Sequence, residues 1–160
     1  MSSFLFITDL DNTLVGDDRA MAELNRQLEQ HRQTHGTQIV YSTGRSLTSY
    51  RHLKAQKPLL EPDILIAGVG TQIYHQGDST PDSAWADTLS HHWDRELVVA
   101  IASHFADLTP QPDSEQSHYK VSYFLTQQAS VEVIPQLEEL LRDRGLDIQI
   151  VYSGSIDLDI

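Results

Sequence analysis

Apolar positions follow two regimes along the chain. Up to about residue 70, short apolar runs alternate with helical stripes; beyond it, helical stripes alternate with period-two segments. Phe4-Leu5-Phe6-Ile7-Thr8 is a compact run that stops at a polar turn, the pattern of a strand buried on both faces. Met21, Leu24 and Leu28 share one stripe, which predicts a helix over residues 18–35 that Gly36 ends. Residues 37–42 read as a second strand and Thr43-Gly44-Arg45 as a turn. Ser46 caps a helix reaching about Gln56, and residues 63–67 form a third strand. This strand–helix–strand–helix–strand order implies a parallel sheet with right-handed crossovers.

Residues 71–74 predict one further short strand or a flap. The polar, turn-rich stretch 77–83 then marks a boundary that divides the chain into 1–76 and 77–160. Trp93, Leu97, Ile101 and Phe105, at fourfold spacing, predict one helix, and their stripe reads as core. A second helix carries Val133, Ile134, Leu137, Leu140 and Leu141. Residues 147–152 and 155–160 read as strands with Gly154 in the turn between them. Residues 119–125 alternate, which sets Lys120, Ser122 and Phe124 on one face and Tyr119, Val121, Tyr123 and Leu125 on the other. The second part is therefore an α+β unit in which the apolar face packs on helices and Lys120 and Ser122 face a cleft.

Charge narrows the partners. With 11 Lys and Arg against 23 Asp and Glu the net charge is -12, which repels nucleic acid and anionic membranes. An anionic substrate would need local positive charge from a metal ion, a basic side chain or a helix N-terminus. No cysteine is present, so disulfides and thiolate metal sites are excluded. No apolar run approaches the length of a membrane span, and a cytoplasmic enzyme is the expectation.

The strongest chemical signal is Asp9-Leu10-Asp11-Asn12-Thr13, directly after the first strand. Ligands of α/β sheets sit at the carboxyl ends of strands. Two carboxylates at i and i+2 leaving such an end converge on a hard cation such as Mg²⁺. Asp9 is then placed to attack phosphorus, and Asp11 to protonate the leaving alcohol and later activate water. Asp-x-Asp alone is common and also describes a solvated turn; its position after the apolar strand is what makes it specific. Ser42-Thr43-Gly44-Arg45-Ser46 ends the second strand and opens a helix, a setting that suits a phosphate group. The eight histidines lack a third ligand at a telling spacing, so His31/His35 and His91-His92 read as surface or helix-end residues.

Together these segments resemble the first two motifs of the haloacid dehalogenase superfamily. Glu61-Pro62-Asp63, Val69-Gly70-Thr71-Gln72-Ile73-Tyr74-His75, the region of Trp85, His92-Trp93 and Lys120-Val121-Ser122-Tyr123 resemble its sucrose-phosphate phosphatase family. The resemblance implies a partial Rossmann-like core with an inserted α+β cap, and Mg²⁺-dependent removal of phosphate from sucrose 6-phosphate through an aspartyl-phosphate. It assigns Asp9 as nucleophile, Asp11 as general acid/base, both as metal ligands (Asp11 through its carbonyl), and Thr43 as a phosphate contact. Gly44 and Arg45 beside it, and Gln72, Lys120 and Ser122 toward the sugar, complete the candidate substrate-binding set.

The sequence departs from the family at Thr71-Gln72, where Ser-Glu is usual, and at Phe124, where His is usual. These departures keep two alternatives open: a phosphatase for another sugar phosphate, or a non-catalytic sugar-phosphate-binding module, for example one docking on a sucrose-phosphate synthase. The family's later Lys motif and its Gly-Asp-x-x-x-Asp metal motif are absent from these residues. The resemblance places the strand of that last motif beside the first strand. The expectations are therefore an open apolar edge at residues 4–8 and impaired activity for this chain alone.

Overall fold

The computed structural model describes residues 4–160. They divide into two compact units, the first ending at Ser83 and the second beginning at Ala84.

The first unit is a four-stranded sheet in the order β1-β2-β3-β4. Its strands are β1 (Leu5–Thr8), β2 (Gln38–Ser42), β3 (Ile64–Ala67) and β4 (Gln72–His75). β1, β2 and β3 are parallel, and β4 returns antiparallel along β3. Helices α1 (Asp18–His35) and α2 (Leu47–Gln56) make the crossovers. Local chemistry fixes the limits of α1. The Asp17 carboxylate accepts the Arg19 and Ala20 N–H groups, and Gly36 closes the last turn at φ 67°, a conformation that glycine adopts without strain.

Register puts Phe6 beside Ile39, and Tyr41 beside Leu65, which pairs Tyr74. These residues form one apolar face packed with Met21, Leu28, Tyr50 and Leu53 from the two helices. Because the strand order is monotonic, both right-handed crossovers fall on the same face. Asp63 ties the layers together: its carboxylate accepts the Ile39 N–H at 2.7 Å and pairs with Arg32 of α1 at 3.1 Å.

The expectation that β1 is buried on both faces fails. Phe6 and Thr8 are half-buried, but Leu5 and Ile7 are 57% and 56% exposed. β1 ends the sheet, and its second face meets no helix of the first unit.

The second unit is an antiparallel sheet in the order β5-β6-β8-β7. Its strands are β5 (Thr109–Pro110), β6 (Ser122–Phe124), β7 (Val151–Ser153) and β8 (Asp157–Asp159). Helices α3 (Ser83–Leu89), α4 (Arg95–Ala102) and α5 (Gln127–Asp143) accompany it. Val98 and Ile101 of α4, Leu137 and Leu141 of α5, and Tyr123 and Leu158 of the sheet share one buried core.

Two expectations change here. The single helix through Trp93 and Phe105 is the eight-residue α4, because the Asp94 carboxylate caps it by accepting the Leu97 N–H. Trp93 and Phe105 lie outside the helix yet still pack on the core. The three predicted strands are also shorter than alternation implied. β8, which pairs with both β6 and β7, provides three residues of ladder to each.

Candidate active site

The carboxyl ends of β1 and β2 adjoin, since Thr8 pairs with Tyr41. The chain leaves β1 through a tight turn. The Leu10 side chain is fully buried in the core, and the Val15 N–H donates to the Leu10 carbonyl at 2.8 Å. Burial of Leu10 anchors the turn between two outward-facing acids. Asn12 sits at φ 55°, a left-handed conformation that Asn tolerates better than most residues.

Asp9 is exposed and locally braced. Its Oδ1 accepts the Leu10 N–H at 2.7 Å, and its Oδ2 lies 3.3 Å from the Thr13 hydroxyl. Asp11 meets Arg45 fork to fork: Nε donates to Oδ2 at 2.8 Å and Nη2 to Oδ1 at 2.7 Å. Arg45 Nη1 also donates to Ser49 Oγ at 2.9 Å. The planar guanidinium therefore fixes the orientation of the Asp11 carboxylate and joins the first and second motifs.

Thr43 is buried, with its N–H donating to the Ile66 carbonyl at 2.9 Å and its hydroxyl accepting the Arg45 N–H at 3.2 Å. Ser46 caps α2 by accepting the Ser49 N–H. A β-carbon on Gly44 would lie 3.5 Å from the Val69 side chain, ordinary contact distance. Val69 itself has φ 52°, an outlier for a β-branched residue, in the turn whose Gly68 N–H donates to the Arg45 carbonyl at 2.8 Å. Gln72 pairs with Ala67 at the end of β3, so it stands at the same carboxyl edge. Of the sequence-predicted residues, the first unit thus gathers Asp9, Asp11, Thr43, Gly44, Arg45 and Gln72 at one sheet edge.

Lys120 and Ser122 belong to the second unit. Ser122 opens β6 and Lys120 lies two residues before it, bridged to Ser117, and both are almost fully buried, at 0% and 3% exposure. Lys120 Nζ lies 3.1 Å from Asp159 Oδ1, and Ser122 Oγ lies 2.6 Å from the same oxygen. The segment preceding β6 covers them. Gln116 receives the Ser122 N–H on its side-chain oxygen and donates to the Ser122 carbonyl, while Gln111 donates to Asp157 at 3.0 Å. Sequence reasoning missed Asp159 and the two glutamines. The available signal was the carboxylate pair Asp157/Asp159 on one face of an alternating strand.

For a hard cation, the first unit offers the Asp9 carboxylate and the Asp11 carbonyl, which lies 3.4 Å from the Thr13 hydroxyl. Oxygen donors at a strand end suit Mg²⁺, which keeps several waters when few protein ligands are available. No group of three or more His, Asp or Glu is placed to hold a metal among the described residues.

The fold is shared with a haloacid dehalogenase-like hydrolase protein of Bacillus subtilis, which superposes with a TM-score of 0.57 at 17% identity. Within that class, residues 2–160 match the family model described as sucrose-6F-phosphate phosphohydrolase, and the chain belongs to that family. It is 39% identical over 160 residues to an Arabidopsis thaliana protein named probable sucrose-phosphatase 2, covering 98% of this chain and 38% of that protein. It is 30% identical over 156 residues to the mannosylfructose-phosphate phosphatase of Agrobacterium fabrum, covering 98% of this chain and 62% of that one. Among solved structures, the sucrose-phosphatase of Synechocystis sp. PCC6803 in complex with sucrose and phosphate superposes with a TM-score of 0.90 at 43% identity. That match covers 99% of this chain and 64% of the solved chain. The chain thus spans about two fifths of the Arabidopsis relative's length. No helix among the described residues is long and apolar enough to cross a membrane.

Proposed function

We propose that the protein is a phosphoric monoester hydrolase that converts sucrose 6-phosphate to sucrose and phosphate, with Asp9 as the nucleophile. The carrying observation is the exposed Asp9 carboxylate at the strand end, with Asp11 and the buried Thr43 loop at the same edge. An Asp9 oxygen attacks phosphorus as the bond from phosphorus to the sugar oxygen breaks. Asp11, entering the cycle in its protonated form, gives that proton to the departing oxygen. Asp11 then takes a proton from water, whose oxygen attacks phosphorus, releasing phosphate and restoring Asp9. Through its two-pronged contact Arg45 orients the ionised Asp11 that takes the proton from water, and the Thr43-Gly44-Arg45 loop at the start of α2 receives phosphate oxygens. Mg²⁺ held by Asp9 and the Asp11 carbonyl would lower the charge repulsion between the aspartate and the phosphoryl group. Gln72, Lys120 and Ser122 are the sugar-contacting candidates, and the reaction takes place in the cytoplasm.

Phosphate release from sucrose 6-phosphate in the presence of Mg²⁺ tests this. Weak release by this chain alone that disappears in Asp9→Asn is expected, and release that persists in the variant removes Asp9 from the role. A second reading, hydrolysis of another disaccharide phosphate, draws on the likeness to the mannosylfructose-phosphate phosphatase. A panel of disaccharide phosphates ranked by kcat/KM separates the two. Association with a sucrose-phosphate synthase is a further proposal, to be read by co-sedimentation of the two purified proteins.

A further inference from the structure

The backbone leaves β3 through three successive positive φ values: Gly68 at 56°, Val69 at 52° and Gly70 at 93°. Glycine adopts this region without strain, whereas a β-branched residue there is a true outlier. Positions 68 and 70 already carry the residue that the geometry favours. Valine at position 69 costs free energy relative to glycine, and such a cost persists only where the surroundings over-determine the conformation. The side chain is therefore the part of Val69 that needs an explanation.

The turn is locked locally. The Gly68 carbonyl accepts both the Thr71 N–H at 3.1 Å and the Thr71 hydroxyl at 2.8 Å. The Gly68 N–H donates to the Arg45 carbonyl at 2.8 Å, and two residues earlier the Ile66 carbonyl accepts the Thr43 N–H at 2.9 Å. β3 and its turn thus grip the Thr43-Gly44-Arg45 loop by its backbone at both ends. Between these two bonds stands Gly44, which is exposed and whose N–H makes no hydrogen bond among the described residues. Val69 Cγ1 is the atom that a β-carbon on Gly44 would meet, at 3.5 Å. The strained side chain, itself half-buried, borders the most permissive residue of the loop.

We propose that Val69 is a positioning residue for this loop: its γ-carbons limit the freedom of Gly44 and hold the Gly44 N–H ready for a phosphate oxygen. The proposal rests on the phosphatase reading, in which Thr43-Gly44-Arg45 receives phosphate oxygens. Val69 acts only through that loop, whose Arg45 also holds Asp11 fork to fork. A donor already fixed where the anion will sit loses little ordering entropy on binding. Removing the Val69 side chain should therefore weaken anion binding while it relieves the backbone, so affinity and stability part company.

Inorganic phosphate with Mg²⁺ is the probe, titrated into the whole chain while backbone amide shifts are followed by NMR. Saturable shifts at residues 43–46 are expected in the parent chain. Val69→Gly should weaken this binding about fivefold, the weight of one net hydrogen bond, while its thermal midpoint equals or exceeds the parent's. Val69→Ala, which trims only the γ-carbons, should show a similar loss of affinity, and Val69→Ile, which keeps Cγ1, should bind as the parent does. Parental affinity in Val69→Gly and Val69→Ala overturns the proposal and leaves the phosphatase reading standing. So does a loss in Val69→Ile as large as that in Val69→Gly. A lowered midpoint accompanying the weaker binding in Val69→Gly also overturns it, because the residue would then be structural. Absence of saturable shifts at residues 43–46 in the parent removes the loop from phosphate binding, and the proposal falls together with that part of the phosphatase reading. Amide spectra of the free variants verify that each keeps the native fold.

Discussion

Asp9 and Asp11 stand at an exposed sheet edge, braced by a local turn and by Arg45, whereas Lys120, Ser122 and Asp159 of the second unit are almost completely buried. The apolar strands differ in the same direction. β1 exposes more than half of Leu5 and Ile7, while Tyr123 and Leu158 in the second sheet are 5% and 0% exposed. A polar group at an open edge keeps its hydration and contributes little to stability, which leaves it available for chemistry. One inside a closed sheet must find every partner within the protein, so it acts as a structural element whatever else it contacts. The two units should therefore respond differently to removal of a carboxylate.

The largest effect expected is that of Asp159→Ala. It leaves the Lys120 ammonium buried without its counter-charge and removes the acceptor nearest Ser122, costing about 3–5 kcal/mol. Urea unfolding measures it. Asp9→Ala, at the exposed edge, should change stability by about 0.5 kcal/mol or less in the same experiment. Equal losses in the two variants would break the comparison. The double replacement Lys120→Met with Asp159→Leu should recover most of the loss, because an apolar pair carries no desolvation penalty.

Next in size is an alkaline effect in the first unit. Burial pushes the phenols of Tyr41 and Tyr50 from 10.0 up to about 12. Above pH 10 the unfolded chain releases these protons while the folded chain retains them, so stability declines as pH rises. The contribution is full below pH 10 and is lost progressively as pH rises through about 12. Each phenol supplies on the order of 2 kcal/mol across that window. Tyr50→Phe removes its share of the slope and, by deleting an unpartnered hydroxyl, should leave stability at neutral pH unchanged or slightly higher. Thermal midpoints measured from pH 8 to 12 test both signs.

What was readable from sequence followed the range of the forces involved. The limits of α1 were legible because Asp17 and Gly36 act within one turn. So were the Asp9 turn and the Ser46 cap, both set by neighbouring residues. The Asp11–Arg45 fork spans 34 positions and the Lys120–Asp159 pair 39, and no periodicity encodes either. Alternation grouped Lys120 with Ser122, and both side chains do reach the same Asp159 oxygen. It did not show that Gln111 and Gln116 would cover them, because residues 111–117 carry no repeating pattern. β1 misled for another reason: a continuous apolar run records that a strand suits two covered faces, whereas in the first unit α1 and α2 both lie on one.

The smallest expected effect on stability, and the sharpest test of the open edge, is Ile7→Thr. Ile7 is 56% exposed, so little apolar area is lost and threonine keeps the β-branched shape that strands favour. Stability should change by about 0.5 kcal/mol or less. Self-association should change more. β1 ends the sheet with unpaired backbone groups beside exposed Phe4, Leu5 and Ile7, a surface that invites pairing with another strand. Sedimentation velocity across a concentration series should show association in the parent chain and less of it in Ile7→Thr. Val131→Thr provides the control: Val131 is still more exposed, at 78%, but lies on α5, whose backbone hydrogen bonds are already made. If both variants lower association equally, exposed apolar area alone drives it. If only Ile7→Thr does, the free strand edge is the cause.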